Sequence, residues 1–380
     1  MLKKKQGVLH RTPHKNTSEI SKHVYSYAFG LFLFQIPTFL RNFKKTDTMT
    51  LNKLILGLCL LATLCGFAGC HQQEEEMNRD EKLLLLDAKI KKAPKDASLY
   101  YERGLVLLEL EQVNDAILDL KKATDLDDSK PEYFTALGDA HFMNGDVGNS
   151  YSALQKALKL DANNLEALLK MGEISFYSKD YDRALETLSK VTSIDKNNRT
   201  AFFMKGFIYK EKGDTVNAVQ LFRHVIELYP DYVPAYEELG MIYTNAHNIL
   251  GVEYLSTAIE LDPKNVNALY ALAMFYQDME DPDKANDLYV KILEIDPQHK
   301  YAWHNRGWIA MVMNGDYDAA IGFFTQAIDA DNQYVEAHTN RGYAYELKGD
   351  QANAQACYKA ALQIDPNYGP AKDGLSRVVR

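Results

Sequence analysis

Small and large apolar positions recur along this chain with a period of 34 residues. Gly104, Gly138, Gly172, Gly206 and Gly240 are each 34 apart, and Ala273, Gly307 and Gly342 continue at spacings of 33, 34 and 35. With that residue as position 8, the repeats fall at 97–130, 131–164, 165–198, 199–232, 233–265, 266–299, 300–334 and 335–368. Position 20 is small throughout, from Ala116 and Ser150 to Gly251 and Ala354. Position 27 is small or β-branched, as in Ala123, Val191 and Ile292. Position 4 is aromatic in Tyr100, Phe134, Phe202, Tyr236 and Trp303. A period of this length predicts stacked helix pairs, because one pair cannot bury its apolar face alone and its neighbours complete the core.

Each position has a physical reading. Small residues at 8, 20 and 27 let helices A and B approach closely, and large residues at 4, 11 and 24 fill the gaps between them. Gly145-Asp146, Gly213-Asp214, Gly315-Asp316 and Gly349-Asp350 fall between the two helices. Glycine there ends helix A in the left-handed conformation, and the aspartate caps helix B. Pro230, Pro263, Pro297 and Pro366, near position 32, stop helix B. The register slips in one region. Repeat five is a residue short and carries His247-Asn248 at its turn, repeat six turns on Asp281-Pro282-Asp283, and repeat seven has one residue extra. A local change of superhelix pitch is expected across 245–316.

These residues resemble the tetratricopeptide repeat over about 270 of the 380 residues. The resemblance implies an all-α fold, a right-handed α-α superhelical solenoid of eight helix pairs with capping helices. Residues 78–96 are read as an N-terminal capping helix, 97–368 as the eight repeats and 369–380 as a C-terminal capping helix with a polar outer face. In that family positions 2, 5, 9, 12 and 13 of helix A turn to the concave face. The resemblance thereby places Phe142, Phe176, Tyr177, Phe203, Phe207, Met241, Tyr270, Met274, Trp308 and Tyr343 in a groove, interleaved with acids such as Glu173, Glu237 and Glu346. Lys210 is the one basic residue found there. Aromatic and methionine-rich surfaces adapt to peptide segments, so the expected ligand is a hydrophobic, basic peptide or protein segment. The family's two-carboxylate clamp, which needs Lys at position 5, is absent: Tyr101, Thr135, Leu169, Phe203, Glu237, Tyr270, His304 and Thr339 stand there.

The charge is unevenly placed. Residues 1–69 hold ten Lys/Arg and two Asp/Glu, which leaves −17 for residues 70–380 out of the chain's −9. So acidic a surface argues against nucleic acid. No Gly-rich phosphate loop, HExxH or GxSxG motif is present. His299 and His304 sit close in sequence and His338 lies one repeat later, but a metal site needs converging ligands, and scattered histidines in helices are more often surface or packing, so no metal, cofactor or catalysis is expected.

Ahead of the array lies LILGLCLLATLCGFAG, residues 54–69, preceded by Lys53 and followed by Cys70. It is short for a spanning helix, which needs about 20 residues, and has the build of a signal peptide. Phe67-Ala68-Gly69-Cys70 resembles the lipobox of bacterial lipoproteins, with Phe67 in place of the usual Leu. The resemblance implies acylation of Cys70, residues 49–69 as the signal peptide and 70–77 as an acidic tether. With the leader removed, Cys357 is the remaining thiol. An acid-rich stretch after such a cysteine resembles the surface-export signal of Bacteroidetes lipoproteins, and no Asp follows the cysteine as an inner-membrane retention signal would require. The expected place is the outer membrane, on its periplasmic or cell-surface side.

The leading expectation is therefore a non-enzymatic, lipid-anchored scaffold for protein partners in envelope assembly or secretion. Residues 1–48 are read as mis-annotated upstream sequence. The alternative is a membrane segment at 24–40, which would make the chain a cytoplasmic adaptor; a glycan-binding or enzymatic protein is the third reading. Peptide mapping of an unprocessed Cys70→Ala precursor decides the start: the expected first residue is Met49, and any peptide from residues 1–48 overturns that reading.

Overall fold

The computed structural model describes residues 78–379, and among them every regular element is helical. The chain divides into two compact parts, whose described portions are residues 78–153 and 154–379. The first part holds α1 (Arg79–Lys92), α2 (Ala97–Glu109), α3 (Val113–Leu126), α4 (Pro131–Met143) and the start of α5 (Val147–Leu160). The second holds α6 (Leu165–Tyr177), α7 (Tyr181–Ile194), α8 (Arg199–Glu211), α9 (Thr215–Leu228), α10 (Val233–Asn245), α11 (Leu250–Leu261), α12 (Val266–Asp278) and α13 (Pro282–Ile295). There follow α14 (Lys300–Trp308), a π-helical turn (Ile309–Met313), α15 (Tyr317–Ala330), α16 (Val335–Lys348), α17 (Gln351–Ile364) and α18 (Gly369–Val378). Within each part, helices pair as A and B and a B helix packs on the next A helix, as in a tetratricopeptide solenoid.

Position 8 and position 24 make the central contact of a pair. A β-carbon built on Gly104 would stand 2.7 Å from Leu120, on Gly172 2.9 Å from Leu188, on Gly206 2.8 Å from Phe222 and on Gly307 2.7 Å from Phe324. Those partners are fully buried. At position 20 the small residue serves the same approach, and Ser150 also donates its hydroxyl to the Gly138 carbonyl at 2.6 Å.

The A-to-B turn has one conformation in all eight repeats. Gly145, Gly213, Gly315 and Gly349 take positive φ, and so do Glu111, Lys179, His247 and Glu280 in the repeats that lack glycine there. Backbone geometry, not residue type, is what repeats. Aspartates then cap helix B: Asp180, Asp214, Asp281, Asp316 and Asp350 each accept from an amide three residues on. A helices are capped in turn by Asn164, Asn198, Asn265 and His299.

The register slips are absorbed locally. The extra residue of repeat seven, expected to alter superhelix pitch, is taken up inside helix A as the π turn Ile309–Met313. Single-turn π insertions are how helices accommodate one added residue. Gly307 still meets Phe324, so the pair's contact survives the insertion. In the short repeat five, α11 begins late, and a β-carbon on Gly251 would stand 2.5 Å from Thr244.

Lysine at a left-handed position carries a steric cost that glycine does not. Lys179→Gly is expected to raise stability by about 1 kcal/mol, read as a shift of the urea midpoint with unchanged slope. No gain, or a loss, counts against the left-handed turn at Lys179.

Candidate partner-binding face

The A helices of repeats two to eight carry the residues singled out for the groove, and the structure sorts them into core and surface. Tyr177, at the end of α6, is 70% exposed. Phe207 is only 8% exposed and belongs to the core. It takes the edge of Phe176 at 5.9 Å and lies 6.5 Å from Phe203, which also reaches Phe222 at 5.4 Å and Tyr232 at 5.3 Å. Phe176, Phe203 and Phe207 thus form one continuous aromatic seam between α6 and α8, half-buried at Phe176 and Phe203. Phe142 ends α4 in the 78–153 part, where it is half-buried.

Tyr270, Met274 and Trp308 come together around the core of repeats five to seven, each half-buried. Met241 on α10 is half-buried. Tyr343 packs on the cluster around Met311 and Phe324, with the Arg377 guanidinium 5.8 Å from its ring. Met311, in the π turn, is buried, whereas Trp308 stays half-buried.

Polar groups on this face are paired more fully than the pattern suggests. Lys210 donates to Glu238 at 2.6 Å. Burial raises the Glu238 carboxyl above its ordinary range, with the lysine opposing. Neighbouring Glu237 accepts from Asn265 at 3.0 Å, and burial pushes its carboxyl up to about 6. Glu346 holds Arg377 at 2.7 Å and accepts from Tyr358.

A buried polar ladder links repeats six to eight, and its roles were missed in the sequence. Position 6 of one repeat donates to position 5 of the repeat before. Asn305 Nδ2 lies 3.1 Å from the Tyr270 hydroxyl, and Asn340 Nδ2 lies 2.8 Å from His304 Nε2. Asn305 also reaches the Tyr289 hydroxyl at 3.0 Å, and its Oδ1 faces His304 Nδ1 at 3.3 Å. Burial pushes the Tyr270 hydroxyl up to about 12 and His304 down to about 4. The imidazole is therefore neutral, with Nδ1 donating and Nε2 accepting. Asparagine at position 6 of two successive repeats was the available signal, but only the packed neighbours show where each amide goes.

Near this ladder stands an aromatic cluster. Tyr301 meets Tyr334 at 5.6 Å, Tyr334 meets His304 at 5.2 Å, and the Lys300 ammonium lies 5.0 Å from the Tyr301 ring centre. Lys300 also pairs with Asp331 at 2.6 Å. Among the described residues no group of three His, Cys, Asp or Glu is placed to hold a metal ion. Cys357 is buried, which pushes its thiol up.

His304 makes stability pH-dependent with a definite sign. Its folded value, about 4, lies below the ordinary 6.5. The unfolded chain binds a proton through that interval and the folded chain does not, so stability falls as pH drops from 6.5 towards 4. The contribution at neutral pH is on the order of 3 kcal/mol. Glu237, raised, has the opposite sign: its contribution is present below its ordinary value and is lost as pH rises through about 6. His304→Gln is expected to flatten the acid limb in urea titrations at pH 7.5 and 4.5, and an unchanged limb overturns the assignment.

Comparisons with known proteins follow the same periods. Family models described as tetratricopeptide repeat match residues 101–165, 141–203, 200–232, 251–306 and 335–368, together more than half of the chain. Superkiller protein 3 of Schizosaccharomyces pombe is 25% identical over 145 residues, 36% of this chain and 10% of that protein. The probable UDP-N-acetylglucosamine–peptide N-acetylglucosaminyltransferase SPINDLY of Hordeum vulgare is 27% identical over 168 residues, 41% of this chain and 17% of that protein. The chain thus spans under a fifth of the length of either relative. A crystal structure of the C-terminal part of a TPR repeat-containing protein from Cytophaga hutchinsonii superposes with a TM-score of 0.54 at 21% identity, covering 63% of this chain and 99% of the other. That likeness speaks to the fold. With position-8 glycines seated on position-24 side chains and repeat models matched over more than half of the chain, this chain belongs to the tetratricopeptide repeat family.

Proposed function

We propose that the chain is a lipid-anchored scaffold that binds a hydrophobic, basic peptide or protein segment along the inner side of its A helices. Proteins of the tetratricopeptide repeat family bind protein or peptide partners, and the finer statement is ours. The observation that carries it is the incomplete burial of large side chains on one register of the A helices. Tyr177 is open, and Met241, Met274, Trp308 and Tyr343 are half-buried. Large aromatic residues with residual exposure are the anchors that dominate interface energies.

The electrostatics favour a basic partner. The array is acidic, and its one groove cation, Lys210, is already held by Glu238. An incoming Lys or Arg meets net negative potential without displacing a resident cation. Among the described residues no helix is long and apolar enough to cross a membrane. Residues 24–40 and Cys70 lie outside the described residues; on the lipobox resemblance we assign attachment to the acyl chains of Cys70, with the array on the periplasmic or cell-surface side of the outer membrane and its role in envelope assembly or secretion.

A benzophenone cross-linker placed at positions 177, 274 or 343 in cells is expected to trap one common partner. The same group at positions 186 or 220, on the opposite register, is expected to trap none. Equal trapping from both registers overturns the inner-face reading.

A further inference from the structure

Position 22 of the B helices faces solvent in every repeat. It carries small or polar residues along the later array, among them Ser152, Glu186, Gln220 and Asp287, all exposed. The first two B-type helices break that rule. Leu84 on α1 and Leu118 on α3 hold this position and are 70% and 67% exposed. Leu85, beside Leu84, is 41% exposed. Nothing in the packing asks for leucine there, since Leu86 and Leu120 fill the core from the same helices.

The two helices are held side by side. Arg103 on α2 reaches Asp87 on α1 at 2.5 Å and Asp119 on α3 at 2.6 Å, so one guanidinium spans both. The guanidinium offsets one of the two carboxylate charges, so the clamp keeps a net −1. Leu84 and Leu118, at equal register on clamped neighbours, belong to one outer face.

That face is rimmed by lysine. Lys121 and Lys122 follow Leu118 at three and four residues, and Lys89, Lys91 and Lys92 follow Leu84 and Leu85 within two turns. These helical spacings put cations beside the leucines. All five are exposed, and none forms an ion pair among the described residues. Asp80, Glu81, Asp115 and Asp125 are the exposed acids on the same side, four against five lysines. In a chain whose residues 70–380 carry −17, this face is close to neutral and its lysines are unpaired.

The geometry points to a membrane-docking face: exposed leucines seat at the boundary of an anionic lipid leaflet while the lysines meet its headgroups. Apolar residues flanked by lysine are the composition of interfacial helices, and each lysine near an anionic surface adds attraction. The inference rests on the anchored reading for proximity. Seven residues, 71–77, lie between Cys70 and Asn78, a reach of about 30 Å at full extension. The face carrying Leu84 thus starts within one bilayer thickness of the acyl chains. Docking would hold the start of the array against the membrane.

Carbene footprinting of the full chain, in vesicles of phosphatidylcholine with and without phosphatidylglycerol, tests this. Labelling of Leu84, Leu85 and Leu118 is expected to fall with phosphatidylglycerol present while Tyr177 stays labelled. Lys121→Gln with Lys122→Gln is expected to restore labelling, with the docked-to-free ratio reduced on the order of 30-fold and helicity unchanged. Labelling equal in both vesicles, or insensitive to the lysines, overturns docking. So does a face already protected before vesicles are added, which would assign it to another stretch of the chain or to a second copy. Intact mass reports acylation of Cys70 separately; the footprint decides docking whether or not lipid is attached.

Discussion

The close approach of helix A to helix B, made possible by the missing side chain at position 8, is the constraint on which the rest depends. Glycine inside a helix costs about 0.5–1 kcal/mol relative to alanine. The large residue seated on it, such as Phe222 on Gly206 or Phe324 on Gly307, returns about 1.5–3 kcal/mol by full burial. The balance favours the pair, and the same trade recurs along the array. Where alanine replaces glycine, at Ala273, the partner Tyr289 is still wholly buried.

Because this contact is local, length errors between repeats need not propagate. A solenoid has only nearest-neighbour interfaces. The added residue of repeat seven therefore becomes a π turn while the Gly307–Phe324 seat stays intact. Repeats six to eight are further tied by the Tyr270–Asn305 and His304–Asn340 steps. In a buried setting such amides have few alternative partners, so they specify register as well as add stability.

Much of this was legible in the chain. The 34-residue period, the Gly-Asp turns and the B-helix prolines reflect local sterics, which act within one or two turns of backbone. The candidate face was less legible. Phe207 and Tyr177 occupy equivalent kinds of position in the pattern, yet one is core and the other open. The difference lies in the neighbour: Phe207 has Phe176 and Phe203 to pack on. Lys210, conspicuous as a lone base, proved to be the partner of Glu238, 28 residues away.

By itself, then, the sequence determined the repeat, the helix pairs, the acidic balance and the lipobox resemblance at Cys70, because each is written in residues close together along the chain. It also held the two leucines at position 22, whose meaning depends on register alone. Only the tertiary structure decided that Glu111, Lys179, His247 and Glu280 adopt the glycine turn, that Asn305 and Asn340 form a ladder, and that Arg103 clamps α1 to α3. Those outcomes are set by which helix faces meet. Side-chain partners 16 to 36 residues apart are chosen by packing across the pair, which no local pattern encodes.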